Sequence, residues 1–200
     1  MANHSILTKD TIISFDIETT GLASGIHSMI ALGAVAYRNG KEIGSFYAAL
    51  KEWNGSERSK STMEFWQKHK AEWDRIQKEA RPPAEVMKEF VAWVDGLPGP
   101  KVLAANPVTF DASFLFWYLT AYIDDDIVGK LFHRTRALDI RTYIAAMFGV
   151  PYSEAERSVV PIEWYESLPY THNALDDARQ QGTMLMNMLK ANAGESEMSA

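Results

Sequence analysis

Asp16 and Glu18 are separated by one residue and stand directly after a largely apolar segment at residues 12–15. Because alternate side chains of a β-strand point to the same face, both carboxylates would project together from the end of a strand. Two like charges this close repel each other, and neither stays ionised in a partly buried site without a cation. Hard ions such as Mg²⁺ take oxygen ligands from one or two carboxylates and from substrate phosphates. The pair indicates either half of a metal site or a solvated acidic turn.

A third acid, Asp111, follows a short apolar strand predicted at residues 101–105 and stands at the start of an apolar helix. One interpretation is an acid that complements the helix dipole, worth ~0.3–1 kcal/mol. The strand before it, however, comes after a helical crossover, so we expect that strand to run parallel to the first one. Asp111 would then emerge near Asp16 and Glu18, at the carboxyl ends of the strands where α/β folds place their sites.

His172 precedes the last predicted helix, whose first turn contains Asp176 and Asp177. A histidine before a helix is either a capping or surface residue or, with an acid nearby, a general base at a metal site. The residue types alone leave both interpretations open.

The elements that would hold these residues form an α/β pattern. Asn39 and Gly40 form a strong hairpin signal between two strand-like segments, so the chain is expected to open with an antiparallel meander. The predicted strands are 11–17, 29–38, 42–50, 101–105 and 136–140. The predicted helices, from apolar spacing and from the proline at the start of the second, are 61–79, 84–96, 110–123, 141–148 and 174–191. An acidic turn is expected at residues 124–126, and residues 149–171 are expected to be irregular.

The composition is that of one globular domain, with 200 residues, 46% of them hydrophobic, and no cysteine. The absence of cysteine excludes disulfides, thiolate metal sites and cysteine nucleophiles. We expect a cytoplasmic protein that does not engage a membrane, because neither a signal peptide nor a long apolar span is evident. The net charge of −6 argues against a broad basic surface for nucleic acid, although two divalent ions would offset four of those charges.

The segments DIETTGL, NPVTFD and HNALDDA resemble the three motifs of the DEDD 3′–5′ exonuclease superfamily, in the histidine subclass (DEDDh). Their order and spacing match over about residues 11–190. The chain is similar to the RNase T and DNA polymerase III epsilon type, and its segment 61–67 is similar to a bacterial and phage exoribonuclease-like branch. The resemblance implies an RNase H-like fold, a five-stranded mixed sheet flanked by helices. We assign this exonuclease domain to residues 11–192, with an N-terminal extension at 1–10 and a flexible tail at 193–200.

The resemblance also implies a set of site residues. Two divalent ions, Mg²⁺ or Mn²⁺, would be held by Asp16, Glu18, Asp111 and Asp177, with His172 as the general base. The family's spacing of five residues from the histidine to the last ligand selects Asp177 over its neighbour Asp176.

Further residues are expected at the substrate. Family positions that meet the terminal sugar and the last base are occupied here by Thr19, Thr20 and Leu22. Asn106 either hydrogen-bonds near the scissile strand or has a packing role. Trp66, or the adjacent Phe65, either stacks on a base or packs in the core.

The segment at residues 149–171 carries aromatic side chains at 164, 165 and 170, and either covers the substrate as a lid or fills a gap in the fold.

The sequence therefore predicts a metal-dependent 3′–5′ exonuclease, a phosphodiester hydrolase that releases nucleoside 5′-monophosphates from single-stranded or frayed 3′ ends of RNA or DNA. Two alternatives stay open. One is a proofreading or repair module that depends on a polymerase or another protein partner, and the other is a catalytically silent nucleic-acid-binding domain. The choice between RNA and DNA and the formation of a homodimer are open as well.

Overall fold

The computed structural model describes residues 9–132, 136–165 and 171–194. Five strands form one sheet in the order β3-β2-β1-β4-β5. Strand β1 is antiparallel to β2, and β2 is antiparallel to β3, whereas β4 and β5 run parallel to β1 and to each other. The strands are β1 (Thr11–Thr19), β2 (Met29–Arg38), β3 (Lys41–Ala49), β4 (Lys101–Ala105) and β5 (Ala137–Asp139). The predicted five-stranded mixed sheet is confirmed.

Helices cover both faces of this sheet within the described residues. They are α1 (Lys60–Lys68), α2 (Lys70–Glu79), α3 (Pro83–Gly96), α4 (Val108–Tyr122), α5 (Asp125–Phe132), α6 (Ile140–Phe148) and α7 (Ala174–Asn192). In the segment between α6 and α7, the described residues form three single 3₁₀ turns, at Tyr152–Glu154, Arg157–Val159 and Ile162–Trp164. Among the helices of the described ranges, none combines the length and the apolar character needed to cross a bilayer.

The alternation of β1 divides the core into two layers. Ile13, Phe15 and Ile17 pack with the buried residues of α3, α4 and α5 on one face of the sheet. Ile12 belongs to the opposite layer, which it shares with residues of α6 and α7. Asp16 and Glu18 have the same parity as Ile12, so the strand directs both carboxylates to the face covered by α7.

Two glycines let α7 approach the sheet closely. Gly33 pairs with Asp16 across β1 and β2, and a Cβ atom at Gly33 would overlap the backbone of Ala174, the first residue of α7. A Cβ atom at Gly182, farther along α7, would press on Ser14 and Tyr37 of the sheet. The start of α7 therefore lies against the sheet, beside the end of β1 that carries Asp16 and Glu18.

The structure differs from the sequence prediction in two elements. The continuous helix predicted over residues 61–79 is wrong, because the backbone leaves the helical conformation at His69 (φ −112°, ψ 40°) and separates α1 from α2. The acidic turn predicted at residues 124–126 is wrong as well, because Asp125 begins α5. The Asp124 carboxylate accepts a hydrogen bond from the backbone N–H of Asp126 at 2.9 Å and so satisfies a donor at the start of that helix.

The other predicted helices and strands are found with shifts of at most two residues at their ends. The predicted N-terminal extension and C-terminal tail fall largely outside the described residues, and Tyr170 lies outside them too.

We expect Gly33→Ala to lower both stability and activity, because the added methyl group meets backbone atoms of α7 that no side-chain rotation can move. Overpacking of this kind costs about 1–3 kcal/mol. Thermal unfolding and hydrolysis of a labelled oligonucleotide would measure the two effects. Gly129→Ala in α5 is the matched control, since a Cβ atom there meets nothing within 4 Å. A Gly33→Ala variant that behaves like Gly129→Ala would contradict the close approach of α7.

Candidate active site

Three carboxylates from two elements meet at the end of β1. Asp16 and Glu18 project from the strand and Asp177 from the first turn of α7, and one oxygen of each lies within 4.8 Å of the others. Asp177 is 6% exposed, and the backbone N–H of Thr171 donates to its Oδ1 at 3.2 Å. The neighbouring Asp176 points elsewhere, because its Oδ2 accepts from the Thr171 hydroxyl at 2.9 Å. The structure thus places Asp177, and not Asp176, beside the pair on β1.

Asp111 lies in the first turn of α4 and is 4% exposed. Its charge acts on both Asp16 and Glu18, although Asp111 lies outside the tight group of three. The start of α4 is fixed by Asp139 at the end of β5, whose Oδ2 accepts from the backbone N–H of Val108 at 2.8 Å. The other oxygen of Asp139 accepts from the backbone N–H of Thr142 at 2.6 Å and so caps α6. Sequence reasoning missed Asp139, although an aspartate after a strand and before a helix is a recognisable capping signal.

Burial raises the pKa of every one of these carboxyl groups. The pKa of Asp16 is raised well above its ordinary value first by burial and then by repulsion from Asp111, Glu18 and Asp177. For Glu18, burial is again the largest cause, followed by repulsion from Asp177. Burial raises the pKa of Asp111 to about 7 and that of Asp177 to about 6.

Divalent ions fit this donor set. A divalent cation would relieve the repulsion, and an all-oxygen set of carboxylates suits Mg²⁺ and Mn²⁺.

His172 lies in the loop before α7 with a left-handed backbone conformation (φ +54°). Its ring lies 4.4 Å from the ring of His69 and 5.1 Å from that of Phe65, between ring centroids. Burial, followed by the charges of His69 and Arg157, lowers the pKa of His172, which favours the neutral imidazole. The break between α1 and α2 at His69 is therefore what places an aromatic wall beside His172.

Asn173 links α2 to the start of α7. Its side chain caps the helix by accepting hydrogen bonds from the backbone N–H groups of Leu175 and Asp176. The same side chain donates to Glu72 of α2 at 3.2 Å. Sequence reasoning missed both His69 and Glu72, since neither belongs to a motif.

The loop after Glu18 is shaped by its threonines. The Thr19 hydroxyl donates to the carbonyl of Gly21 at 2.8 Å. The Thr20 hydroxyl donates to the carbonyl of Glu57 at 3.0 Å and accepts from the backbone N–H of Ser28 at 2.9 Å. Leu22, in contrast, is 73% exposed. Both threonine side chains are thus engaged within the protein. Thr20 is moreover fully buried, and its backbone N–H and carbonyl are bonded to Ser28 and Ser59 at 2.9 and 2.8 Å, so its prediction as a substrate-contacting residue is corrected.

Direct stacking of a base on Trp66 is not what the structure shows. Trp66 is 2% exposed, and its Nε1 donates to the carbonyl of Thr19 at 2.9 Å. The prediction of Trp66 as a substrate-contacting residue is therefore corrected, because a buried ring has no free face to offer. Phe65 is half-buried and contacts His172, so it is the aromatic side chain of this pair that lies nearer the site.

A cleft of about 270 Å³ opens beside Asp16 and Asp177. Asn106, Arg157 and Gln180 are among the side chains that line it. The segment between α6 and α7 therefore contributes a cation to the cleft. Trp164 of the same segment packs against the layer formed by α6 and α7, and its carbonyl accepts from the Asn187 side chain at 3.0 Å. Of the two roles predicted for this segment, the packing of Trp164 agrees with the second, which is to fill a gap in the fold.

The comparisons with known proteins agree on one class of enzyme. Residues 11–189 match the family model described as the 3′–5′ exoribonuclease Rv2179c-like domain. The 3′–5′ DNA exonuclease Cap18 of Escherichia coli is 27% identical over 188 residues, which is 88% of this chain and 90% of that protein.

The fold is shared with solved exonuclease structures. The nuclease domain of 3′hExo, a DEDDh family member bound to rAMP, has a TM-score of 0.65 at 16% identity, over 92% of this chain and 94% of that one. The Mg²⁺- and Mn²⁺-bound form of S. pombe Pop2p has a TM-score of 0.68 at 13% identity, over 93% of this chain and 85% of that one. The predicted RNase H-like exonuclease fold is thereby confirmed.

We expect the metal-free protein to lose thermal stability as the pH rises from about 5 to 8. A carboxyl group whose pKa is higher in the folded state stabilises the fold only while it is protonated. That contribution is present below the ordinary carboxyl pKa of about 4 and is lost as the pH rises through about 6 for Asp177 and about 7 for Asp111. Mg²⁺ or Mn²⁺ should raise the unfolding temperature at pH 8 and have little effect at pH 5, because the ligands must be deprotonated.

The control for this measurement is the double variant Asp16→Asn, Asp177→Asn, which keeps the side-chain shapes and removes two of the charges. Its unfolding temperature should depend less on pH and should not respond to the metal. The same pH profile in the double variant and the native protein would show that the loss of stability arises elsewhere.

Proposed function

This chain belongs to the 3′–5′ exoribonuclease Rv2179c-like domain family and is a 3′–5′ exonuclease, and from that premise we propose that it releases nucleoside 5′-monophosphates from single-stranded or frayed 3′ ends with two divalent ions. The observation that carries the proposal is the convergence of Asp16, Glu18 and Asp177 within 4.8 Å. In a catalytically silent domain, nothing would offset the electrostatic cost of holding these carboxylates together.

Asp16, Glu18, Asp111 and Asp177 would hold the two ions. Bound there, the ions supply electrostatic stabilisation to the attacking and leaving oxygens of an in-line phosphoryl displacement. The nature of the donors supports Mg²⁺ or Mn²⁺, since every one of the four is a carboxylate oxygen.

His172 accepts the proton of the attacking water as the new bond to phosphorus forms and the bond from phosphorus to the 3′ oxygen of the shortened strand breaks. The lowered pKa of His172 supports this role, because a base must be neutral at the working pH. Phe65 and His69 hold the imidazole ring from one side.

The exposed side chain of Leu22 packs against the terminal nucleotide, and Asn106 contacts the strand from the wall of the cleft. The small cleft and the net charge of −6 support a short footprint at a strand end rather than a long duplex surface. The family description names RNA and Cap18 is named for DNA, so both sugars belong in the test.

The decisive measurement is digestion of matched RNA and DNA oligonucleotides, labelled at either the 3′ or the 5′ end, with Mg²⁺ or Mn²⁺. A 3′ label should appear at once as a mononucleotide, whereas a 5′ label should give a descending ladder. Asp16→Ala should abolish both products while the fold, followed by circular dichroism, is retained. Undiminished turnover in this variant, or release of a 5′-terminal mononucleotide first, would refute the proposal.

We expect His172→Ala to lower turnover by roughly 10²–10⁴-fold, the range of a missing general base. Binding of Mn²⁺, measured by calorimetry, should be unchanged, because His172 acts on water and is not a ligand. Asp176→Asn is the matched control, since this side chain lies next to the site and points away from it. Loss of Mn²⁺ binding in His172→Ala would instead identify His172 as a metal ligand.

A further inference from the structure

Arg157 lies at the site although it belongs to none of the three motifs. It begins the 3₁₀ turn Arg157–Val159 in the segment between α6 and α7. Its side chain lines the same cleft as Asp16 and Asp177, so an irregular segment brings a permanent positive charge to the carboxylates.

The position of the Arg157 side chain is fixed by α7. Its Nη1 donates a hydrogen bond to Oε1 of Gln180 at 3.0 Å. Gln180 is 7% exposed and follows Asp177 by three residues, so both project from the same face of the helix. The helix that supplies an acid of the site therefore also orients the guanidinium group.

The Arg157 charge is close enough to act on two groups of the site. Burial, the charge of His69 and then that of Arg157 lower the pKa of His172. Burial raises the pKa of Asp177, and Arg157 opposes that rise, after the larger effects of the Thr171 hydrogen bond and the Asp176 charge. The second arginine of the cleft, Arg141, is held differently. It donates to the carbonyls of Tyr152 and Ser153 at 3.0 and 3.1 Å, and its guanidinium group lies 5.1 Å from the centroid of the Tyr152 ring. Arg141 thus supports the turns that lead to Arg157.

We propose that Arg157 binds a non-bridging oxygen of the scissile phosphodiester and stabilises the negative charge that grows there as water adds to phosphorus. A planar guanidinium group matches phosphate oxygens in a bidentate geometry. Because the charge on those oxygens increases in the transition state, the interaction lowers the barrier and not only the dissociation constant. Arg157 acts through its charge and its N–H donors and exchanges no proton. This inference rests on the proposed exonuclease function.

The test compares Arg157→Gln and Arg157→Lys on two substrates, a single-stranded oligonucleotide and the 4-nitrophenyl ester of a nucleoside 5′-monophosphate, which contains only the scissile phosphodiester. Arg157→Gln should lower kcat on both by about 10²–10³-fold, with KM changed only a few-fold. Arg157→Lys, which keeps the charge without the fork, should recover part of that loss. Arg81→Gln is the matched control, because Arg81 pairs with Glu89 away from the site.

A binding measurement complements the kinetics. With Mg²⁺ present, calorimetry should show that Arg157→Gln binds adenosine 5′-monophosphate about tenfold more weakly than the native protein, whereas adenosine binds equally to both.

Should Arg157→Gln fail to fold, Gln180→Met removes the orienting hydrogen bond at nearly constant volume. It should then lower kcat by a smaller factor and leave KM unchanged.

Three outcomes would overturn the inference: kcat within twofold of the native value, a loss confined to the KM of the oligonucleotide, or a loss of Mn²⁺ binding in Arg157→Gln. The second would place Arg157 on the upstream strand, and the third would make it a support for the metal site. If the native protein hydrolyses neither substrate, the proposed function fails before Arg157 is tested.

Discussion

Mutual repulsion among buried carboxyl groups is the constraint that the rest of this structure must withstand. At the end of β1, burial raises the pKa of Asp16, Glu18, Asp111 and Asp177, and repulsion between the groups adds to that rise at Asp16 and Glu18. Unneutralised, such a cluster favours any movement that separates its members. A cation relieves the repulsion only if the oxygens stay in place, so the scaffold must be rigid before the cation binds.

The scaffold supplies that rigidity through three contacts, one of which serves two of the acids. The antiparallel register of β1 with β2 fixes Asp16 and Glu18 on one face of the sheet. The missing side chain at Gly33 lets α7 bring Asp177 against the same strand end. Asp139 ties the start of α4, and with it Asp111, to the end of β5. Three long-range contacts therefore hold four carboxylates, and none of these contacts involves a carboxylate of the cluster itself.

How much of this could be predicted from the sequence follows from the range of the interactions. The alternation along β1 and the placement of Asp111 after a parallel strand are local rules, and they indicate where the acids meet.

The break at His69 is hidden because the aromatic spacing continues across it from Trp66 to Trp73. The role of Trp66 was equally hidden, since helical spacing shows that a side chain has a buried face but not that its N–H meets the carbonyl of Thr19, 47 residues away. Asp139 was missed for the same reason: its cap on α6 is local, whereas its bond to Val108 spans 31 residues.

The two groups of the site that are not acids, His172 and Arg157, are positioned by α7. His172 and Arg157 both come from the segment between α6 and α7, and the regular structure of its described residues consists of single 3₁₀ turns. These turns form backbone hydrogen bonds over a few residues each, so their side chains are positioned by a neighbouring element. That neighbour is α7, through Gln180 for Arg157 and through Asn173, its capping residue, beside His172. Because Asp177 projects from the same helix, the close packing that Gly33 of β2 and Gly182 of α7 allow between α7 and the sheet positions one acid and both non-acidic groups together. The packing of α7 against the sheet therefore sets where Asp177, His172 and Arg157 lie relative to the carboxylates of β1.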